Sequence, residues 1–141
     1  MDARSMSQAR GRCLCGAVRF EADGVETDYH ACHCGMCRRW SSGSPFFGAS
    51  VKAVRFTGSE HLGRYASSDW AERGFCRVCG STLFYFLKPS SEYSMSVGAF
   101  DDDTAFRLTR EIFIDHKPAG YDLAGDRCRL TEREVLAEHG F

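Results

Sequence analysis

The chain has no excess of charge of either sign. Eighteen Lys and Arg stand against 19 Asp and Glu, a net charge of −1 over 141 residues. A nucleic-acid binder needs a basic surplus to neutralise phosphates, so nucleic acid is not an expected partner. Charge-driven docking to an anionic membrane is excluded on the same ground. Long apolar runs are also missing. The longest, Leu83–Leu87, has five residues, against the roughly 20 of a membrane-spanning helix. The first twelve residues, MDARSMSQARGR, lack the apolar stretch of a secretory signal. The expected compartment is therefore the cytoplasm. Proline is scarce, with three residues, and repeats, low-complexity stretches and composition breaks are absent. The expected organisation is a flexible tail over residues 1–10 and one domain over residues 11–141.

Cysteine is what the chain does have. Eight cysteines in 141 residues fall short of the roughly 8–10 % of a disulfide scaffold. A reducing compartment disfavours structural disulfides, and clustered cysteines there point to metal ligands.

The local pattern is mainly β. Residues 17–21 alternate apolar and polar, as a half-buried strand does. Residues 51–58 read as a strand ending at Gly58. Residues 62–65, 82–87, 93–97 and 111–114 are further strand segments, the second closed by the Lys88-Pro89 turn signal. A short helix is expected over residues 34–40. A second, C-terminal helix starts at a capping box, with Thr131 at the N-cap and Glu134 three residues on.

Seven of the cysteines form three groups: Cys13 and Cys15; Cys32, Cys34 and Cys37; Cys76 and Cys79. Short spacings let one turn offer two thiolates to a tetrahedral zinc. Seven ligands divide as four plus three. Four close a structural site, whereas three leave an open position, as catalytic zinc sites do. Spacing favours a ribbon that pairs Cys34 and Cys37 with Cys76 and Cys79. The other partition joins Cys13 and Cys15 to Cys76 and Cys79. His30 and His33 lie near enough in sequence to close a second site as a fourth ligand. Cys128 stands alone and reads as a small buried hydrophobe. Trp40, Phe46, Phe47 and Trp70 read as core aromatics rather than a pocket lining. Asp115 and His116 read as a surface turn.

Three stretches carry a resemblance. They are Gly11-x-Cys-Leu-Cys-Gly-Ala-Val-Arg-Phe20, Cys32-His-Cys-x-Met-Cys-Arg-Arg-Trp-Ser41 and Phe75-Cys-x-x-Cys-Gly-Ser-x-Leu-Phe84, followed by Lys117-Pro118 and Tyr121-Asp122. Together they resemble the glutathione-dependent formaldehyde-activating enzymes, a family that includes centromere-protein-V-like proteins. The resemblance implies an Mss4-like fold, several coiled antiparallel β-sheets around zinc-binding cysteine knuckles. It also selects the second partition. Cys13, Cys15, Cys76 and Cys79 would hold a structural zinc, and Cys32, Cys34 and Cys37 a catalytic one, two zincs per chain. The implied activity is a carbon–sulfur lyase step resembling S-hydroxymethylglutathione synthase, with a small-molecule thiol and an aldehyde as partners. An anionic thiol needs cations nearby, and Arg38 and Arg39 directly follow Cys37 as candidate substrate contacts. The alternative is an Mss4-like module that binds protein partners without catalysis. A homodimer is compatible with either reading.

Overall fold

The computed structural model describes residues 5–140. Eleven strands and two short helices follow one another as β1 (Ser5–Arg12), β2 (Arg19–Glu26), β3 (Asp28–Cys32), α1 (Gly35–Trp40), β4 (Phe46–Val51), β5 (Ala53–Thr57), β6 (Leu62–Ala66), β7 (Ala71–Cys76), β8 (Thr82–Leu87), β9 (Glu92–Ser96), β10 (Arg107–Ile112), β11 (Cys128–Leu130) and α2 (Glu132–Glu138). They form a three-stranded sheet, β1-β2-β5, and an eight-stranded sheet, β11-β10-β3-β4-β9-β8-β7-β6. The expected mainly β architecture is the observed one. Most pairs are antiparallel, but β10 runs parallel to both β3 and β11. From Ser5 on, the expected tail is the outer strand β1. It pairs with β2 from Ser5↔Glu26 to Arg12↔Arg19, so its polar side chains belong to a sheet edge rather than a loose end.

The core lies where the two sheets face each other. Phe20, Ala22 and Val25 from β2 meet Ala49 from β4, Leu83 and Phe84 from β8 and Met95 from β9, all 0–2 % exposed. Alternation delivers Phe20 and Ala22 to one face. Phe84 packs on Phe56 and Tyr93, with ring centres 5.4 and 5.0 Å away. Burying one such ring contributes about 2–3 kcal/mol. Gly74 makes room for it, because a side chain there would collide with the Phe84 ring.

Five strands lay outside the sequence reading: β1, β3, β7 and β11 entirely, and β4 but for Val51. In β3 (DYHAC) only Ala31 and Cys32 are buried, and in β7 (AERGFC) the buried face carries Arg73, which erases the alternation signal. Residues 51–58 are divided, since Val51 ends β4 and Ala53 starts β5. The C-terminal helix is capped as expected. The Thr131 hydroxyl accepts from the Glu134 backbone N–H at 3.3 Å, and the Thr131 N–H donates to the Glu134 carboxylate at 3.0 Å. No helix among the described residues is long and apolar enough to cross a membrane.

Candidate functional site

Two hairpin ends meet to form the first cysteine group. Cys13 and Cys15 lie in the turn from β1 to β2, and Cys76 and Cys79 in the turn from β7 to β8. Both turns bend through a glycine with φ of 79°, Gly16 and Gly80, a conformation glycine adopts at least cost. The Leu14 N–H donates to the Ser81 hydroxyl at 2.9 Å and joins the two turns. The sulfurs of Cys13 and Cys15 are 3.7 Å apart, those of Cys15 and Cys76 3.8 Å, and all four lie within 4.8 Å of one another. Zinc–sulfur bonds of about 2.3 Å in a tetrahedron set neighbouring sulfurs about 3.8 Å apart, so the quartet fits a thiolate-bound metal. The N–H groups of Val18 and Val78 donate to the Cys13 and Cys76 sulfurs at 3.3 and 3.4 Å. The Ser81 hydroxyl beside Cys79 pulls that thiol down to about 5, aided by backbone N–H groups.

The second group is a trio. Cys32 ends β3, Cys34 caps α1 and Cys37 lies within it. The three sulfurs also lie within 4.8 Å of one another. Cys34 accepts from the Cys37 N–H at 3.4 Å. Hydrogen bonds from Cys32 and then Cys37 push the Cys34 thiol far down, while the same contacts push Cys32 up. Among the described residues, no further His, Cys, Asp or Glu joins this trio. Neither histidine near enough in sequence to be a fourth ligand joins it. Burial drives His30 down to about 4, with Arg110 adding to the shift, so it is neutral at pH 7. His33 is fully buried and engaged elsewhere. Its Nδ1 is 2.7 Å from the Tyr121 hydroxyl and its Nε2 is 2.8 Å from the Glu111 carboxylate. Glu111 in turn takes Arg127 at 2.6 Å and Arg129 at 2.9 Å.

The fold therefore groups the cysteines as four and three. The ribbon favoured by spacing is not formed. Cys34 and Cys37 belong to α1, packed against β3 and β4, whereas the Cys76 turn is bonded to the Cys13 turn. Cys128 is exposed rather than buried, because β11 is a three-residue edge strand. Trp70 is 52 % exposed and is not core, since it precedes β7 at its open end. Trp40 and Phe46 pack on each other beside the trio, with ring centres 5.2 Å apart. Arg38 is half-buried, its Nε donating to the His33 carbonyl at 3.0 Å, and Arg39 is exposed.

Sequence reasoning missed Arg73. This β7 residue is 4 % exposed, and its Nη1 donates to the Cys37 sulfur at 3.4 Å. Its guanidinium carbon is 5.0 Å from the Trp40 ring centre and 5.2 Å from that of Tyr85. Three thiolates and a divalent cation sum to −1, and Arg73 places a positive charge against that group. Glu111, Arg127 and Arg129 were missed as well, and Tyr121 was marked only by the resemblance, without a role. Each is an ordinary charged or aromatic residue in sequence, 74 or more positions downstream of Cys37. Only the parallel pairing of β10 with β3, which sets Glu111 beside Ala31 and Ile112 beside Cys32, brings them to the trio.

The sequence profile of the family described as glutathione-dependent formaldehyde-activating enzyme matches residues 8–116. The chain belongs to this family. Among its relatives is an uncharacterized lyase of Schizosaccharomyces pombe, 35 % identical over 133 residues, covering 93 % of this chain and 96 % of that protein. Another is a Halomonas elongata protein provisionally named a glutathione-dependent formaldehyde-activating enzyme. It is 29 % identical over 132 residues, covering 84 % of each chain. The crystal structure of a Rhodobacter sphaeroides protein shares the fold, with a TM-score of 0.57 and 24 % identity over 86 % of this chain and 99 % of that one. In this formaldehyde-activating family member, both cysteine groups fall on the motifs that carried the resemblance.

Proposed function

We propose that the protein is a zinc-dependent enzyme of the carbon–sulfur lyase class, which joins a glutathione-like thiol to a small aldehyde such as formaldehyde, or splits the adduct. The observation that carries this reading is the division of seven cysteine sulfurs into a group of four and a group of three. The four are structural, closing a tetrahedron between two hairpin ends. The three, Cys32, Cys34 and Cys37, are the catalytic ligands. When bound to them, zinc supplies a soft Lewis acid suited to a thiolate.

The surrounding residues hold that site in place. His33 lies between two of the ligands, and its clamp between Glu111 and Tyr121 fixes the backbone that presents them. Cys34 is further fixed as the cap of α1. Arg73 offsets the negative charge of the thiolates through Cys37. Arg38 and Arg39, in the last turn of α1, are substrate contacts for a carboxylate of the thiol. In the reaction, the substrate sulfur forms a bond to the carbonyl carbon, and the carbonyl π pair moves to oxygen. The proton that the thiol gives to water as its thiolate forms is returned by water to that oxygen, so none is gained or lost overall. Holding sulfur and carbonyl together removes the entropy of encounter from the barrier. The working place is the cytoplasm, where thiols stay reduced.

The test is NMR detection of the hemithioacetal exchange between glutathione and formaldehyde. Wild type accelerates the exchange beyond the uncatalysed rate, and Cys34→Ser does not. Arg38→Glu and Arg39→Glu weaken thiol binding; unchanged affinity in both would remove them from the site. A protein that takes up two zincs and accelerates nothing would leave the protein-binding alternative.

A further inference from the structure

We infer that Arg73 forms a carboxylate-binding subsite in the cleft beside the cysteine trio, and that this subsite selects thiols carrying a free carboxylate. The inference rests on the reading of the trio as a thiol site and names the class of thiol that it takes.

Arg73 is an unusual arginine. Buried guanidinium groups are almost always paired with a carboxylate. Arg127 and Arg129, by contrast, both reach the buried Glu111 carboxylate. Arg73 has no carboxylate partner in any ion pair among the described residues. A guanidinium offers five N–H donors. One Nη1 donor is used on the Cys37 sulfur, and the buried Nε has no hydrogen-bond partner. An unsatisfied donor of a charged group costs about 1–3 kcal/mol or more. A carboxylate arriving with the substrate would reach Nη2, which is neither sealed like Nε nor engaged on a sulfur like Nη1.

The strand register places the group at a cavity. In β7, Arg73 and Phe75 project to the same face, and Tyr65 of β6 lies opposite Arg73. With Trp40, Gly80 and Thr82 these residues line a cleft of about 370 Å³. Its walls are aromatic, Arg73 is its one charged residue, and no acidic side chain lines it. The space far exceeds what a one-carbon aldehyde needs, so it suits the body of the thiol. The guanidinium touches the trio through Cys37 and borders the cleft at once. The three cysteines do not line the cleft, so a ligand seated there would set its carboxylate on Arg73 and reach past that side chain to place its sulfur at the trio. The Trp40 and Tyr85 rings hold the guanidinium in place, which preserves the planar fork needed for a two-pronged grip on carboxylate.

The experiment is calorimetric titration of the zinc-loaded protein with glutathione, with glutathione ethyl ester, whose glycine carboxylate is masked, and with S-methylglutathione, whose sulfur cannot ligate as a thiolate. Wild type should bind glutathione at least tenfold more tightly than the ester. Arg73→Met should bring glutathione to the affinity of the ester and leave the ester unchanged. Should Arg73→Met lose metal or fold, Arg73→Lys decides, because it keeps a charge beside Cys37 but loses the fork. It should retain two metals and lose most of the preference. A preference that persists in Arg73→Lys and Arg73→Met, or is absent from wild type, overturns the subsite. Arg73-dependent binding of S-methylglutathione with no added affinity for glutathione keeps the subsite and removes the thiol reading of the trio. No binding of any of the three probes overturns both.

Discussion

Removing the Glu111 carboxylate should destabilise the protein more than any other single charge deletion near the trio. The side chain is 1 % exposed and takes three cationic or polar donors: His33 at 2.8 Å, Arg127 at 2.6 Å and Arg129 at 2.9 Å. Breaking a buried pair by deleting one partner costs about 3–5 kcal/mol, because the remaining charge is left without compensation. The three donors do not share that cost equally. Arg129 is 35 % exposed, so water can replace the carboxylate there, whereas Arg127 is 11 % exposed and His33 is fully buried. The expected loss for Glu111→Ala is therefore at the low end, about 3 kcal/mol. In a chain of this size it lowers Tm by about 10 °C. Glu111→Gln keeps the shape and one acceptor, and should lose less. Burial opposes ionisation of Glu111, but Arg127 and His33 outweigh it and hold its pKa below the usual glutamate value. A depressed carboxylate contributes stability above its unfolded pKa, and that contribution is lost as pH falls through the folded value. The gap between wild type and Glu111→Gln should thus be full at neutral pH and close on the acid side of the ordinary glutamate pKa. The assay is thermal and urea unfolding of zinc-loaded protein followed by circular dichroism. A Glu111→Ala loss below about 1 kcal/mol would refute the claim that this carboxylate is the hub of a buried charge network.

Other substitutions test other parts of the structure. Gly74→Ala puts a methyl group against the Phe84 ring, and overpacking of this kind should cost about 1–3 kcal/mol in urea unfolding. Thr131→Ala removes the hydroxyl half of the capping box on α2 and leaves the backbone N–H of residue 131 on the Glu134 carboxylate. It should cost about 1 kcal/mol and leave the metal content unchanged. Cys76→Ser opens the group that ties two hairpin ends together, so the purified protein should lose cooperative unfolding, whereas Cys34→Ser should keep it.

Much of this was legible in the sequence for a physical reason. The strand β9 alternates, and β8 is a short apolar and aromatic run closed by the Lys88-Pro89 turn, so residues 82–87 and 93–97 could be read directly. The capping box and the short helix after Cys34 are local signals and appear where expected. The cysteine motifs marked metal chemistry, but spacing alone pointed to the wrong pairing. Sequence distance says nothing about which hairpin ends meet, and the Leu14–Ser81 bond that decides it spans 67 positions. The strand β7 was hidden because its buried face carries Arg73 in place of an apolar residue, and β3 because it buries only its last two residues, Ala31 and Cys32. Arg73 and Glu111 are buried charges, satisfied or used only through partners from distant strands. No local pattern marks such residues, and they surround the site.

The most direct test is the number of zinc ions per chain, measured by native mass spectrometry on wild type and Cys34→Ser with and without glutathione. Two zincs in wild type, one in Cys34→Ser, and a glutathione adduct confined to wild type are the predicted result. A wild type with a single zinc, or a glutathione adduct that survives in Cys34→Ser, would contradict the assignment of Cys32, Cys34 and Cys37 as an open thiol-binding site.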